Sequence, residues 1–402
     1  MRLFALLLLL TGLFSSCKLL NTTQNDNQEI ISSPTDNHQV TSSSFQDYIR
    51  EDVTTIENIL ERGSLLEQMH NWKGKALFIK VNENQANSRF DYYYYQAIYQ
   101  DTNQNQIQDS SDQGFFNPAS TVKVGISALV LEQLNQLKLP KETEYRILGN
   151  STWHSFNEDI KNVLIISDNE ATNRLILFLG FQNLNLRMRG KGLNFFSVNR
   201  LMLNQGTLVD SPAFELRFEQ TITQSPPQTV SQDFSCFEVG NKLGNCASAT
   251  DLAEILIRLV QPTVYSPEEK FNLREQDRLW LQEIMSQTPQ QADLNYENTF
   301  CRFLHPLSQK IANKTGKLLS KCGVGLFSHT FVDTSFIETD QGQKYYIVFA
   351  VNPPQNISKN QAINWMNTVS QFVLNALSKT NQPTGMISWR LLPSSRSTQL
   401  LL

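Results

Sequence analysis

Apolar residues first settle into a rhythm over 45–72, where Ile49, Val53, Ile56, Ile59 and Leu60 recur at helical spacing. The pattern then changes to period two. Lys75 to Val81 alternates, as does the aromatic-rich run from Phe90 to Tyr99, so both read as strands. The tyrosines from Tyr92 to Tyr95 fit a sheet with one wet face better than a binding surface. Thr121 to Leu137 is helical, and Val122, Val124, Ile126, Leu129 and Val130 point around most of its circumference, which places it in the domain centre. Asn169 to Leu179 predicts another helix. Ser248 with Asp251 resembles a capping box opening Leu252 to Val260, and Leu279 to Met285 belongs to a further helical stretch. Period two returns in Gly325 to Ile337 and Tyr345 to Val351, before Ala362 to Leu377 closes the pattern as a helix. Helix, strands, helices, strands, helix predicts an α+β domain whose sheet is covered by the terminal helices. No internal repeat interrupts it.

The ends of the chain differ from this core. Met1-Arg2 and an apolar run from Leu3 to Phe14 have the length of a signal-peptide core and are too short to span a bilayer. Ser15-Ser16-Cys17 closes the run as a lipoprotein cleavage and lipidation site does, with an ordinary secretory leader as the alternative. Residues 1–17 are therefore expected to be a lipoprotein signal peptide, with Cys17 lipidated and the rest exported to the periplasmic side of a bacterial membrane. Residues 18–44, rich in Asn, Gln, Thr and Ser, read as a disordered tether. Residues 45–378 form the expected catalytic domain and 379–402 a loose tail.

Composition narrows the partners. The formal net charge is −4 and no basic face stands out, which argues against nucleic acid. After Cys17 four cysteines remain, an even number that permits two disulfides in an exported protein. Cys236 with Cys246 and Cys301 with Cys322 is the favoured pairing, with free buried thiols as the alternative. Zinc is disfavoured, because no pair has Cys-x-x-Cys spacing. Asp101 to Asp112 sets oxygen-bearing side chains as a calcium loop does, but Gln106 stands where the sharp turn needs glycine. A solvated hairpin tip is the favoured reading there.

Three polar motifs carry the candidate chemistry: Ser120-Thr121-Val122-Lys123, Ser167-Asp168-Asn169 and Lys314-Thr315-Gly316. A Ser-x-x-Lys match alone says little, since Ser15 to Lys18 also satisfies it. The ordered set says more. Ser120 and Lys123 are three residues apart on one helical face, so the amine can take the hydroxyl's proton. The helix start favours an oxygen that becomes anionic. A lysine acts as a base only where burial and neighbouring cations lower its pKa, and Val122 and Val124 supply apolar surroundings.

The set Phe116 to Lys123, Ile166 to Asn173 and Lys314 to Gly316 resembles the class A β-lactamases, whose three elements penicillin-binding proteins share. The resemblance implies a five-stranded antiparallel sheet flanked by helices, beside an all-helical lobe, with the site at their junction. It implies Ser120, Lys123 and Ser167 as catalytic residues, with Ser167 relaying a proton to the leaving nitrogen. Asn169, Lys314, Thr315 and Lys317 would bind substrate, the last through its backbone amide as the second oxyanion donor beside Ser120. Lys321 is a further candidate for the substrate carboxylate. The implied activity is opening of β-lactams through an acyl-enzyme on Ser120, without metal or cofactor, by a membrane-anchored monomer. Peptidase or transpeptidase action on D-alanyl stem peptides is the alternative, and a cell-wall-binding lipoprotein without catalysis is the third reading. One departure stands out. The family's deacylating Glu lies in an Arg-x-Glu-x-x-Leu-Asn loop, yet Val198 to Asn204 has Arg200 at the expected position. Glu215 and Glu219, just downstream, read as solvent-facing.

Overall fold

A computed structural model describes residues 45–83, 88–96, 115–203, 209–230, 237–238, 242–294, 316–325 and 329–379. The expected leader, tether, calcium-like loop and C-terminal tail lie outside them, as do Lys314 and Thr315.

The stretch 45–72, predicted as helix throughout, divides. Strand β1 (Ile49–Asp52) comes first, then helices α1 (Val53–Arg62) and α2 (Leu66–Asn71). Asp52 causes the division: its carboxylate accepts from the Thr55 amide at 2.9 Å and caps α1. Strands β2 (Lys75–Glu83) and β3 (Ser88–Gln96) follow, then the short β4 (Phe115–Phe116) and helix α3 (Lys123–Gln136). The helical lobe continues with β5 (Glu144–Ile147), β6 (His154–Ser155), α4 (Phe156–Ile165), α5 (Asn169–Leu179) and α6 (Phe181–Gly190). Next come β7 (Phe214–Phe218), β8 (Thr221–Ser225), β9 (Phe237–Glu238), β10 (Lys242–Leu243), β11 (Ala247–Ser248), α7 (Ala249–Val260) and α8 (Glu275–Ser286). The chain closes through β12 (Lys317–Gly325), β13 (Thr330–Glu338), β14 (Lys344–Val351) and α9 (Lys359–Lys379).

The main sheet has the order β1-β3-β2-β14-β13-β12. Its last five strands are antiparallel, as expected, and β1 adds a sixth, parallel to β3. One face packs on α1, α2 and α9 through residues such as Ile56, Leu60, Phe78, Phe349, Met366 and Val373. The other face meets the lobe that contains α3 and α7. Helix α3 is buried on nearly every side, which explains its lack of a polar stripe. Gly125 lets its neighbours close in: a Cβ there would lie 2.6 Å from Met188 and 3.2 Å from Ile255.

Phe45, 2% exposed, anchors the entry to β1 by packing on Phe90 and Tyr265 with ring centroids 5.2 and 4.3 Å away. Phe45→Ala is expected to lower unfolding free energy by about 3 to 4 kcal/mol, measurable by chemical denaturation.

The sequence pattern gave no sign of a second sheet, ordered β6-β5-β7-β8. Tyr145, Phe214 and Leu216 point into the lobe, with Tyr145 stacked on Phe156 at 4.1 Å. On its outer face Arg146 pairs with Glu215 at 2.5 Å and Arg217 with Glu144 at 2.6 Å, while both guanidiniums lie over Trp153. Glu215 is thus tied to Arg146, and Glu219 sits exposed between β7 and β8. Strands β5 and β7 are short and carry two charged residues each, so no clear apolar alternation announces them.

Two expectations are corrected here. A strand was predicted to end in Lys314-Thr315-Gly316; instead β12 begins immediately after that motif, and the strand predicted from Gly325 begins at Thr330. Cys322 is a buried thiol, so the expected Cys301–Cys322 bridge is absent. The register sets Cys322 in the apolar layer under α9. Cys246 is disulfide-bonded; Cys236, its expected partner, lies outside the described residues.

Candidate functional site

The nucleophile candidate is presented by a tight turn. Asn117 accepts a hydrogen bond from the Ala119 amide at 2.9 Å, and Ala119 takes a positive φ of 47°. Thr121 donates from its hydroxyl to the Pro118 carbonyl at 2.7 Å, closing a 3-10 turn over Ala119–Val122 that runs into α3. Ser120 stands half-buried on that turn. A left-handed non-glycine residue costs about 1 kcal/mol or more, and here neighbouring hydrogen bonds hold it.

Lys123 opens α3 with no exposed surface. Its Nζ donates to the Ser167 carbonyl at 2.7 Å, the Ser167 Oγ at 3.1 Å, the Asp168 carbonyl at 3.3 Å and the Asn169 Oδ1 at 2.8 Å. These contacts depend on the start of α5. Asp168 caps that helix, accepting from the amides of Glu170 and Ala171 at 2.8 and 3.1 Å, and Ser167 adopts a positive φ of 62°. The first two motifs therefore meet around one amine, with Lys123, Ser167 and Asn169 in direct contact.

Of the third motif only Gly316 lies among the described residues, directly ahead of β12. Gly323 is the β12 residue against the nucleophile: a Cβ on it would lie 2.5 Å from the Ser120 amide nitrogen and 2.8 Å from the Ala119 Cβ. Only glycine permits that approach. Lys317 precedes Gly323 by six residues, roughly 20 Å along a strand. Its Nζ donates to Gln282 Oε1 on α8 at 2.5 Å, and it faces Glu338 in register. Desolvation pushes its pKa below the usual lysine value, against the pull of Glu338. Lys317 therefore cannot provide an oxyanion donor beside Ser120. Gly316 adjoins it at the same remote end.

Lys321 is the β12 lysine on the face that meets the nucleophile turn. It lies two residues before Gly323 on the same face of β12, is fully buried, and pairs in register with Thr334. Cys322, between them, points to the opposite layer with Asp333 as its register partner. Lys321-Cys322-Gly323 repeats the Lys-x-Gly spacing with a thiol in the middle. The signal that could have identified it is the hairpin that follows, since Gly325 pairs with Thr330 and must lie at the turn end of the strand.

The loop 197–203 is held by two asparagines. Asn173 accepts from the Met202 amide at 2.6 Å and donates to its carbonyl at 3.4 Å. Asn173 stands one helical turn beyond Asn169, so Met202 is tethered to the face of α5 that touches Lys123. Asn245 accepts from the amides of Asn199 and Arg200 at 2.9 and 3.1 Å and donates to the Arg200 carbonyl at 3.3 Å. The loop thus ties Met202 to α5 and Arg200 to Asn245, and neither is a carboxylate.

Asp251, in the first turn of α7, accepts from the Phe195 amide at 2.9 Å. Burial, then the neighbouring Glu254, raise its pKa to about 7. The folded state therefore binds a proton more tightly than the unfolded chain, and stability from this group is lost as pH rises from about 4 to about 7. Asp251→Asn keeps the acceptor and removes the titration. Thermal unfolding of the variant is expected to gain on the parent protein progressively across that window and to run parallel above it.

Among the described residues no group of three or more His, Cys, Asp or Glu could hold a metal ion, and no helix is long and apolar enough to cross a membrane.

Comparison with known proteins agrees with this architecture. The profile described as "Beta-lactamase enzyme family" matches residues 82–377. Among solved structures, PBP-A is 17% identical with a TM-score of 0.52, the match covering 82% of this chain and 98% of that one. The chromosome-encoded β-lactamase of Vibrio parahaemolyticus is 15% identical with a TM-score of 0.51, covering 80% of this chain and 100% of that one. The class A β-lactamase of Mycobacterium abscessus is 14% identical with a TM-score of 0.51, covering 80% and 99%. Among curated proteins no significant sequence relative was found.

Proposed function

Because this chain belongs to the beta-lactamase enzyme family, we propose that Ser120 attacks the carbonyl of a β-lactam or a D-alanyl peptide, forms an acyl-enzyme, and releases it slowly. In this reading Lys123 first loses a proton to solvent and gives up part of its donor contacts, and its freed lone pair then takes the Ser120 proton as the Oγ–C bond forms. Ser167, 3.1 Å from that amine, returns a proton to the leaving nitrogen as the C–N bond breaks. The Ser120 amide and an outward amide of edge strand β12 beside Gly323 stabilise the oxyanion. Asn169 hydrogen-bonds the substrate's amide side chain, and Lys321 holds its carboxylate.

The observation that carries slow release is Met202. Asn173 fastens its backbone to α5 one helical turn beyond Asn169, and its buried thioether offers no base to activate water there. A positioned general base is worth about 10² to 10⁴ in rate. PBP-A, a structural neighbour, has been solved as a point mutant in an acyl-enzyme complex with penicillin G. Turnover as a β-lactamase is the second reading, favoured by the class A enzymes among the structural neighbours. Export and lipidation at Cys17 belong to the same proposal and rest on the leader alone; metabolic labelling with a fatty acid tests them.

Intact-mass spectrometry after penicillin G decides between the readings. A persistent adduct located on Ser120 supports slow release. Unmodified protein with hydrolysed drug supports turnover, and neither product above a Ser120→Ala control would overturn both.

A further inference from the structure

Residues 244–248 touch two segments that the chemistry needs and that no other described ladder joins. On one side, Asn245 holds the backbone of Asn199 and Arg200 through three hydrogen bonds, and Asn199 returns one from its side chain to the Gly244 carbonyl at 3.0 Å. Cys246 extends the contact by exchanging amide hydrogen bonds with Ser197 at 2.8 and 2.9 Å. On the other side, Ala247 and Ser248 pair with Phe116 and Phe115, the strand that leads within four residues to Ser120. Ser248 then caps α7, its Oγ accepting from the Asp251 amide at 3.0 Å, while the Asp251 carboxylate accepts from the Phe195 amide.

We infer that this crosspiece couples the Met202 loop to the nucleophile turn, and that Asn245 is a positioning residue for Ser120. The inference rests on the acylation reading above only for its kinetic readout. Three properties support it. Asn245 is 3% exposed, so its amide bonds are shielded from competing water. It bonds two consecutive backbone amides with one oxygen, which fixes the loop's direction as well as its distance. Cys246 is disulfide-bonded and 2% exposed, so the residue between the loop contact and the nucleophile ladder has little freedom to absorb a displacement. A shift of the loop is passed to Phe116, and through Asn117 and Pro118 to the turn that presents Ser120.

Two variants separate positioning from general damage. Asn245→Ala removes all three bonds; Asn245→Asp keeps an acceptor for both amides and loses only the weakest bond. With a fluorescent penicillin, Asn245→Ala is expected to lower the limiting acylation rate about tenfold while the half-saturating concentration changes by less than about threefold. Asn245→Asp should recover most of the rate. Hydrogen exchange on the same proteins should show Asn245→Ala losing protection at 115–122 as well as at 197–203. Loss confined to 197–203, with the acylation rate unchanged, would overturn the coupling. Equal loss of rate in both variants would overturn the role of the acceptor. A parent protein that takes no label counts against the acylation reading, and exchange at 115–122 then still decides the coupling.

Discussion

Lys321→Met is expected to slow acylation of Ser120 by a fluorescent penicillin about 10²- to 10³-fold, the usual effect of deleting one preorganised electrostatic contact. Lys317→Met, by contrast, should leave the rate within about twofold, because the half-buried side chain bonds to Gln282 at the end of β12 away from Gly323. The two lysines share a strand, but Gly323 marks which end meets the nucleophile. A carboxylate-bearing substrate needs a cation beside the carbonyl under attack, and a residue roughly 20 Å away along β12 cannot supply it. Stopped-flow fluorescence on both variants is the check. Equal losses, or a larger loss in Lys317→Met, would reverse the assignment of the strand.

Met202→Glu is expected to raise the rate of acyl-enzyme loss about 10²-fold, the lower range for general base catalysis. Asn173 holds the Met202 backbone by both its amide and its carbonyl, so the new carboxylate would start from a fixed point on α5 near Lys123. Release of the adduct, followed by intact-mass spectrometry after dilution from excess penicillin, measures it. An adduct as long-lived as in the parent protein would show that the loop does not aim this side chain at the ester.

Much of the architecture was readable from pattern. The antiparallel strands were legible as short apolar and aromatic runs, but the expected wet face of Tyr92 to Tyr95 is absent: one side of each strand meets α1, α2 and α9 while the other meets the lobe, so Tyr92, Tyr93 and Tyr95 are all buried. The contact between Ser-x-x-Lys and Ser-Asp-Asn was legible for a local reason: each motif opens a helix, and its capping chemistry fixes the side chains nearby. A three-residue strand motif carries no register: Gly316 stands seven residues ahead of Gly323, the β12 residue that meets the nucleophile turn. Register is decided by the hairpin joining β12 to β13 and by the need for a residue without a side chain against the nucleophile turn. The strands β5 and β7 escaped notice because Arg146, Glu215 and Arg217 face outward as salt-bridged partners around Trp153 and mask the inward Tyr145, Phe214 and Leu216. The Asn173 and Asn245 clamps left no trace in the sequence, since asparagine is common in turns and its backbone partners lie 29 and 45 or 46 positions away.

Strand β1 and strand β12 border the main sheet at opposite margins, separated by five interstrand gaps, about 24 Å. The chain therefore enters the sheet, through Phe45 and β1, at the margin away from Ser120. A protein grafted to beads through that margin would keep the turn that carries Ser120 facing outward.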